Sequence, residues 1–250
     1  EPMEVNERMR ELSLKMPVGS TVLTVVRLVE QMALYYNQTK SIGTLKLNTP
    51  EEYVQQYVNE YYLMDMFYRR ALEAYHELVT LDIPIEAVIN EAKRQLDQEY
   101  AKMANVMNLE WLTCVKEKGE AFRGVTLGRR QNFYRTEGDG TVKQVVIISD
   151  ALRYEVAVEL MQQLAKEKHI ATLTPYLAML PTETKYCKPA LLPHHSLGML
   201  GTEMLVDGTV LNTTDQRTAH LCKYKEGAVC MRYEEVMNGD LSAMRELFKR

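Results

Sequence analysis

The stretch QVVIISDALRYE, residues 144–155, decides the predicted fold of this chain. Its four consecutive β-branched residues, Val145 to Ile148, form a short apolar run that is typical of a strand buried on both faces of a sheet. The run stops at the carboxylate of Asp150. Apolar residues then recur at helical spacing, at Val156, Leu160, Met161 and Leu164. A strand, an acidic residue and an amphipathic helix in this order indicate an α/β domain.

Asp150 is placed by this pattern at the carboxyl end of the predicted strand. Open α/β sheets bind their ligands in the crevice outside the carboxyl ends of the strands, so a carboxylate there is well placed to hold a metal ion. The alternative is that Asp150 only ends the strand or caps the following helix, since Asp is a common capping residue. The stretch by itself leaves both interpretations open.

A second motif, LPTETKYCKPALLPH, occupies residues 180–194. It follows another apolar stretch, residues 170–180. The motif presents the hydroxyl of Thr184 just after a proline-bounded turn and just before a helical segment. The order of elements over residues 144–250 is predicted as β-α-β-α-ββ-α-β-α, with a hairpin around Asp207-Gly208.

The two motifs together resemble the PglZ family, a branch of the alkaline phosphatase superfamily found in bacteriophage-exclusion (BREX) defence systems. The resemblance covers residues 144–215 and extends more weakly to the tyrosine-rich helices before them. It implies a phosphatase or phosphodiesterase in which Asp150 is a metal ligand and Thr184 is both a metal ligand and the nucleophile. Two divalent cations, expected to be zinc, would hold the threonine oxygen for in-line attack on phosphorus, and a water would then hydrolyse the phosphothreonine.

The same resemblance implies a phosphate ester, nucleotide or nucleic acid as substrate and other BREX proteins as partners. Two basic residues near the motifs, Arg153 and Lys185, could steady phosphate oxygens. A solvent-exposed role is open for both of them.

The metal ligands of such a site are incomplete in this sequence. The superfamily needs further Asp and His ligands that typically include an Asp-His dipeptide, and the sequence contains none. The five histidines do not have the required spacing: His76, His169, His194, His195 and His220. The polar start and the amphipathic end of the chain favour a partial segment of a longer protein. We therefore expect the remaining ligands beyond residue 250 and expect the chain alone to be inactive.

The first half of the chain is predicted to be helical. Thr49-Pro50 begins one long helix with a threonine cap and a proline in the first turn, and Glu52 completes a capping box. Asp65 interrupts the apolar face of this helix, and an ion pair with Arg69 is expected. Another long helix is predicted from about residue 84 to 118. The predicted fold class is thus α plus α/β: a helical scaffold over residues 1–120, a linker or hairpin over 121–143, and the truncated N-terminal part of an alkaline-phosphatase-like domain over 144–250.

The amino-acid composition and net charge of the chain disfavour some classes of function. With 46% hydrophobic and 26% charged residues the chain is typical of globular proteins, and it contains no apolar run long enough for a membrane helix. A cytoplasmic location is the default expectation. The net charge of −4 disfavours a generally basic nucleic-acid-binding surface. The alternative to an enzyme is a non-catalytic scaffold or interaction module of the defence complex, in which the long helices contact other proteins.

Overall fold

The computed structural model describes residues 2–15, 17, 20–42, 45–80, 86–117, 125 and 145–249. The chain divides into two compact units. The first unit comprises residues 1–126 and 152–173, and the second comprises residues 127–151 and 174–250.

The described part of the first unit is helical. Helix α1 spans Pro2–Lys15, α2 spans Thr21–Ser41 and α3 spans Pro50–Gln56. A π-helical turn, Tyr57–Tyr61, joins α3 to α4, which spans Tyr62–Val79. Helix α5 spans Glu86–Glu117, and α6 spans Tyr154–Lys166. The long helices predicted from Pro50 and from about residue 84 are confirmed.

The start of α3 follows the predicted signal with one difference. The Thr49 hydroxyl accepts a hydrogen bond from the backbone N–H of Glu52 at 3.2 Å, as an N-cap should. The Glu52 carboxylate, however, accepts the backbone N–H of Asn48 at 2.9 Å. The side chain of Glu52 therefore stabilises the residue before the cap.

The core of the first unit lies where α4 packs against α2 and α5. Helix α1 packs against α2, and α6 packs against α4. The side chains of the core are apolar and aromatic, and burying them supplies most of the driving force for folding. The buried members are Leu28, Tyr35, Tyr61, Met64, Ala71, Ala74, Leu78, Ile89 and Leu96.

Asp65 does not form the predicted ion pair with Arg69. Its carboxylate accepts hydrogen bonds from the hydroxyls of Tyr57 at 2.6 Å and Tyr100 at 2.8 Å, while Arg69 binds three glutamates: Glu73, Glu155 and Glu159. The prediction was wrong because spacing along one helix does not report the competing partners that other helices supply, which are Tyr100, Glu155 and Glu159.

The described part of the second unit combines short helices with a small sheet. Helix α7 spans Thr184–Ala190. Strands β1 (Leu197–Leu200), β2 (Glu203–Val206) and β3 (Thr209–Val210) form an antiparallel sheet in sequence order. Helices α8 (Thr214–Leu221), α9 (Tyr233–Asn238) and α10 (Leu241–Lys249) follow. The buried side chains of Leu192, Val206 and Leu211 form a small core, to which strand β2 contributes Val206.

The predicted hairpin around Asp207-Gly208 is confirmed. Val206 pairs with Thr209, and the two residues between them both have positive φ, 48° and 78°. A two-residue turn of this kind requires left-handed backbone at both positions, which Asp tolerates and Gly adopts freely.

The strand predicted at Val145–Ile148 is not formed. Residues 145–149 have no regular secondary structure, and Ile147 is 84% exposed. The strand predicted at Ala228–Met231 is likewise irregular backbone. An apolar β-branched run indicates a suitable strand but cannot supply the neighbouring strand that satisfies its backbone hydrogen bonds. The described fold is therefore mostly helical with a three-stranded sheet. The general combination of helices and a sheet is consistent with an alkaline-phosphatase-like domain, whereas the predicted order of strands and helices is not confirmed.

The predicted linker, residues 121–143, lies outside the described residues except for Val125. The division into residues 1–120, 121–143 and 144–250 stays a prediction. No helix among the described residues has the length and apolar character needed to cross a membrane.

Candidate active site

Asp150 and Thr184, the two residues selected from the sequence motifs, lie next to each other in the second unit. The hydroxyl Oγ1 of Thr184 donates to the carboxylate oxygen Oδ1 of Asp150 at 3.3 Å, across 34 residues of sequence. Both side chains are exposed. A negatively charged carboxylate and an accessible hydroxyl therefore form a hydrogen bond at the surface of this unit.

The local backbone presents both groups. Thr184 is the first residue of α7, and the preceding carbonyl of Glu183 accepts the backbone N–H groups of Tyr186 and Cys187 at 3.0 and 2.9 Å, which starts the helix. Asp150 lies in a turn whose next residue, Ala151, has a φ of 55°. Positive φ is unfavourable for a residue with a Cβ, and such conformations are concentrated at functional sites.

Lys188 is a third member of this cluster that the sequence motifs did not single out. Its ammonium lies 2.8 Å from the other carboxylate oxygen of Asp150, Oδ2. Lys188 follows Thr184 by four residues on α7, so both side chains lie on one face of the helix. That spacing could have indicated from the sequence that Lys188 lies beside Thr184. It could not have indicated the contact with Asp150, because the fold places the turn of Asp150 next to α7.

The two basic residues proposed from the sequence bind carboxylates. The ammonium of Lys185 lies 3.3 Å from Glu183 Oε2 and 4.6 Å from the ring centroid of Tyr186. Arg153 is in the first unit, where its Nη2 lies 2.7 Å from Glu155 Oε1. Contacts of either residue with a phosphate stay predictions.

Two of the histidines bind backbone carbonyls. The buried ring of His194 contacts the carbonyl of Leu192 through Nδ1 at 2.7 Å, and the buried ring of His220 contacts that of Pro193 through Nε2 at 2.7 Å. Within the ranges that the structure describes, no three His, Cys, Asp or Glu side chains are grouped as metal ligands.

Asp150 and Thr184 fit a divalent cation only in part. Their 3.3 Å separation is that of two neighbouring oxygen ligands on a tetrahedral ion, about 3.3–3.6 Å apart if each ligand bond is about 2.0–2.2 Å. The described side chains add an ammonium rather than a further ligand, and an ammonium cannot coordinate a metal because it has no lone pair. The described residues thus supply one edge of a metal site and not a complete donor set.

Residues 131–250 match the family model described as the BREX system PglZ alkaline phosphatase-like domain. This range contains Asp150, Thr184 and Lys188. No solved structure matches the chain significantly.

Two curated proteins are similar to the chain. The alkaline phosphatase-like protein PglZ of Bacillus cereus (strain H3081.97) is 25% identical over 206 residues, which cover 80% of the chain and 24% of that protein. The alkaline phosphatase-like protein BrxZ of Escherichia coli O9:H4 (strain HS) is 42% identical over 93 residues, which cover 35% of the chain and 11% of that protein. The chain therefore matches only about a quarter or less of the length of these relatives. The resemblance drawn from the two motifs is confirmed: residues 131–250 match the family model of BREX-system PglZ alkaline phosphatase-like domains, and the two similar proteins are named PglZ and BrxZ.

Proposed function

We propose that this chain forms part of a PglZ-type, metal-dependent phosphatase or phosphodiesterase that acts in bacterial phage defence. The observation that supports the proposal is the contact between Thr184 Oγ1 and Asp150 Oδ1 at 3.3 Å, because it joins two motifs that are separate in sequence. Both residues lie within the range that matches the PglZ family model.

In this proposal Thr184 is the nucleophile and Asp150 is a metal ligand. A divalent cation, expected to be zinc, supplies Lewis-acid stabilisation of negative charge when it is bound. Thr184 Oγ1 gives its proton to solvent water and forms a bond to phosphorus, while the bond from phosphorus to the leaving oxygen breaks and that oxygen takes a proton from solvent water. A water molecule then attacks the phosphothreonine, the bond between phosphorus and Thr184 Oγ1 breaks, the phosphate product is released and the threonine hydroxyl is restored. Asp150 Oδ1 orients the threonine for this attack through the hydrogen bond that it accepts.

The substrate proposed is a phosphate ester, either a nucleotide or a nucleic acid, and the partners proposed are other BREX proteins. Their basis is the system named in the family description and the names of the two relatives. A cytoplasmic location belongs to the same proposal. Arg153 and Lys185 remain the residues proposed from the sequence to steady phosphate oxygens.

The test is zinc-dependent hydrolysis of bis(p-nitrophenyl) phosphate by the complete natural protein that contains this chain. Thr184→Ala removes the nucleophile, so kcat should fall by at least about a hundredfold. Thr182→Ala is the matched control, because Thr182 is an exposed threonine two residues earlier, in the loop that leads into α7. Its kcat should stay within about twofold of the wild type.

Equal turnover by the wild type and the Thr184→Ala variant would contradict the proposed nucleophile. Asp150→Asn separates the two roles: it should weaken zinc binding, so that activity requires a higher zinc concentration, while leaving the threonine hydroxyl in place. The 250-residue chain should be inactive in the same assay, since its described residues supply only one edge of a metal site.

A second candidate function is a non-catalytic interaction module. The observation that favours it is that Asp150 is already paired with the ammonium of Lys188 at 2.8 Å, as a carboxylate with a structural role would be. In that case the Thr184→Ala protein would still restrict phage and assemble with its partners. Loss of restriction by a Thr184→Ala protein that still assembles would exclude this candidate.

A further inference from the structure

Lys188 binds the carboxylate to which the proposed function assigns a metal. Thr184 donates to Oδ1 of Asp150 and the Lys188 ammonium lies 2.8 Å from Oδ2, so both oxygens of one carboxylate are engaged. The Lys188 side chain is 32% exposed, whereas that of Lys185 on the same helix is 53% exposed. Lys188 is thus a partly enclosed cation next to Asp150.

The consequence for a metal is electrostatic. Each carboxylate oxygen has two lone-pair sites, so the lysine does not block coordination by occupying an oxygen. Its positive charge nevertheless lies within a few ångströms of any cation bound to Oδ1, and like charges at such distances repel even near the protein surface. A cation must either accept this repulsion or displace the ammonium from Oδ2.

We propose that Lys188 is a positioning residue that competes with a divalent cation for Asp150. In the metal-free protein it holds the carboxylate toward Thr184, and it weakens the affinity of this site for the metal. This inference rests on the proposed function, because it takes Asp150 to be a metal ligand. It concerns binding of the metal, not the rate of the chemical step.

The experiment titrates Zn²⁺ into the complete natural protein that contains this chain, by isothermal calorimetry at fixed pH and low ionic strength. Lys188→Met should tighten zinc binding about fivefold, because that factor corresponds to the upper range for a solvent-accessible ion pair. The gain should shrink as salt is added, because salt screens exposed charges. Lys188→Arg keeps the positive charge and should not tighten binding.

Two further comparisons separate this effect from a general change of charge. Lys185→Met removes a lysine from the same helix that pairs with Glu183, so zinc affinity should stay within about twofold of the wild type. Asp150→Asn should weaken zinc binding, and adding Lys188→Met to it should have no further effect, because the lysine acts through the carboxylate. Far-ultraviolet circular dichroism confirms that each variant is folded.

The outcomes distinguish this inference from the proposed function. If Asp150→Asn weakens binding but Lys188→Met leaves it unchanged, the competition is wrong and the metal ligand stands. If Lys188→Met increases zinc affinity equally in the wild type and in the Asp150→Asn variant, the proposed competition for Asp150 is also wrong. If Asp150→Asn binds zinc as the wild type does, or if neither the wild type nor Lys188→Met binds zinc, both proposals fail.

Discussion

Glu155 on α6 accepts a hydrogen bond from Arg69 on α4 at 3.0 Å, although 86 residues separate them in sequence. The Glu155 side chain is fully buried, and Arg153 Nη2 approaches its other oxygen at 2.7 Å without hydrogen-bonding geometry. Arg69 also binds Glu159. Helix α6, which begins four residues after Asp150, is therefore attached to the helical scaffold by a buried ion pair.

Replacing Arg69 by methionine should destabilise the first unit. The change removes the hydrogen-bonded partner of the buried Glu155 and leaves Arg153 as its ion-pair partner. Removing one partner from a buried ion pair is costly, so we expect a loss of roughly 3 kcal/mol in the free energy of unfolding. The measurement is urea unfolding followed by the fluorescence of Trp111. This side chain is the only tryptophan of the chain and packs against Tyr53 in the same unit.

Glu73→Gln is the matched control for this prediction. Glu73 is the exposed partner of the same arginine, at 2.8 Å, and exposed ion pairs contribute about 0–1 kcal/mol. A loss from Arg69→Met that is no larger than the loss from Glu73→Gln would show that the buried pair does not hold α6.

Alkaline pH should destabilise the first unit through Tyr57 and Tyr100. Burial, followed by the negative charge of Asp65, raises the pKa of both phenols well above the ordinary value of about 10. The unfolded chain therefore releases these protons at lower pH than the folded chain. The stabilising contribution is complete below about pH 10 and is lost as the pH rises toward the folded pKa.

The measurement is the urea midpoint, followed by Trp111 fluorescence, from pH 8 to 11.5. Tyr57→Phe should flatten the alkaline fall because one titrating group is removed, and it should cost roughly 1.5–3 kcal/mol at pH 8 because a hydrogen bond to a carboxylate is lost. Tyr233→Phe, at a tyrosine that is 71% exposed, serves as control. Identical alkaline profiles for the Tyr57→Phe and wild-type proteins would contradict the prediction.

Asp207 should make the hairpin of the second unit sensitive to acid. A hydrogen bond from the Tyr224 hydroxyl at 2.6 Å, and those from the backbone N–H groups of Ser196 and His195, lower the pKa of this carboxyl well below its usual range. The unfolded chain binds the proton first, so the contribution is complete above about pH 5 and is lost as the pH falls through about 4 toward the folded pKa.

A carboxyl carbon titration by NMR measures this pKa directly. Tyr224→Phe removes the shortest of the hydrogen bonds that this carboxylate accepts from described residues and should raise the pKa of Asp207 toward its ordinary value. It should also destabilise the hairpin by about 1 kcal/mol at pH 7. An unchanged Asp207 titration in this variant would show that the phenol does not stabilise the carboxylate.

Gly208→Ala should loosen the same hairpin for a conformational reason. The φ of Gly208 is 78°, and left-handed backbone costs a residue with a Cβ about 1–2 kcal/mol. Hydrogen exchange over residues 197–211 should therefore speed up. Gly198→Ala is the control, since its added Cβ would meet Leu205 at 3.9 Å, an ordinary contact, in a strand where alanine is tolerated. Equal protection in the two variants would contradict the turn geometry.

The residues of the candidate site could be selected from the sequence, but their chemical surroundings could not. Asp150 and Thr184 lie in motifs that are recognisable in the chain itself, and the structure brings them together at 3.3 Å. Lys188 was missed because its partner is 38 residues away in sequence, a distance that helical spacing does not report. Arg153 and Lys185 were selected as basic residues near the motifs, and both bind glutamates.

Local signals in the sequence determined the elements of this protein. The cap at Thr49, the turn at Asp207-Gly208 and the period of the long helices depend on interactions within a few residues, so they can be predicted without the rest of the fold. Tertiary structure alone decided the partners of Asp65 and Arg69 and the irregular backbone of Val145–Ile148. Buried charges and strands require partners from distant parts of the chain. A local sequence pattern indicates that a residue needs such a partner, but it does not indicate which distant residue provides it.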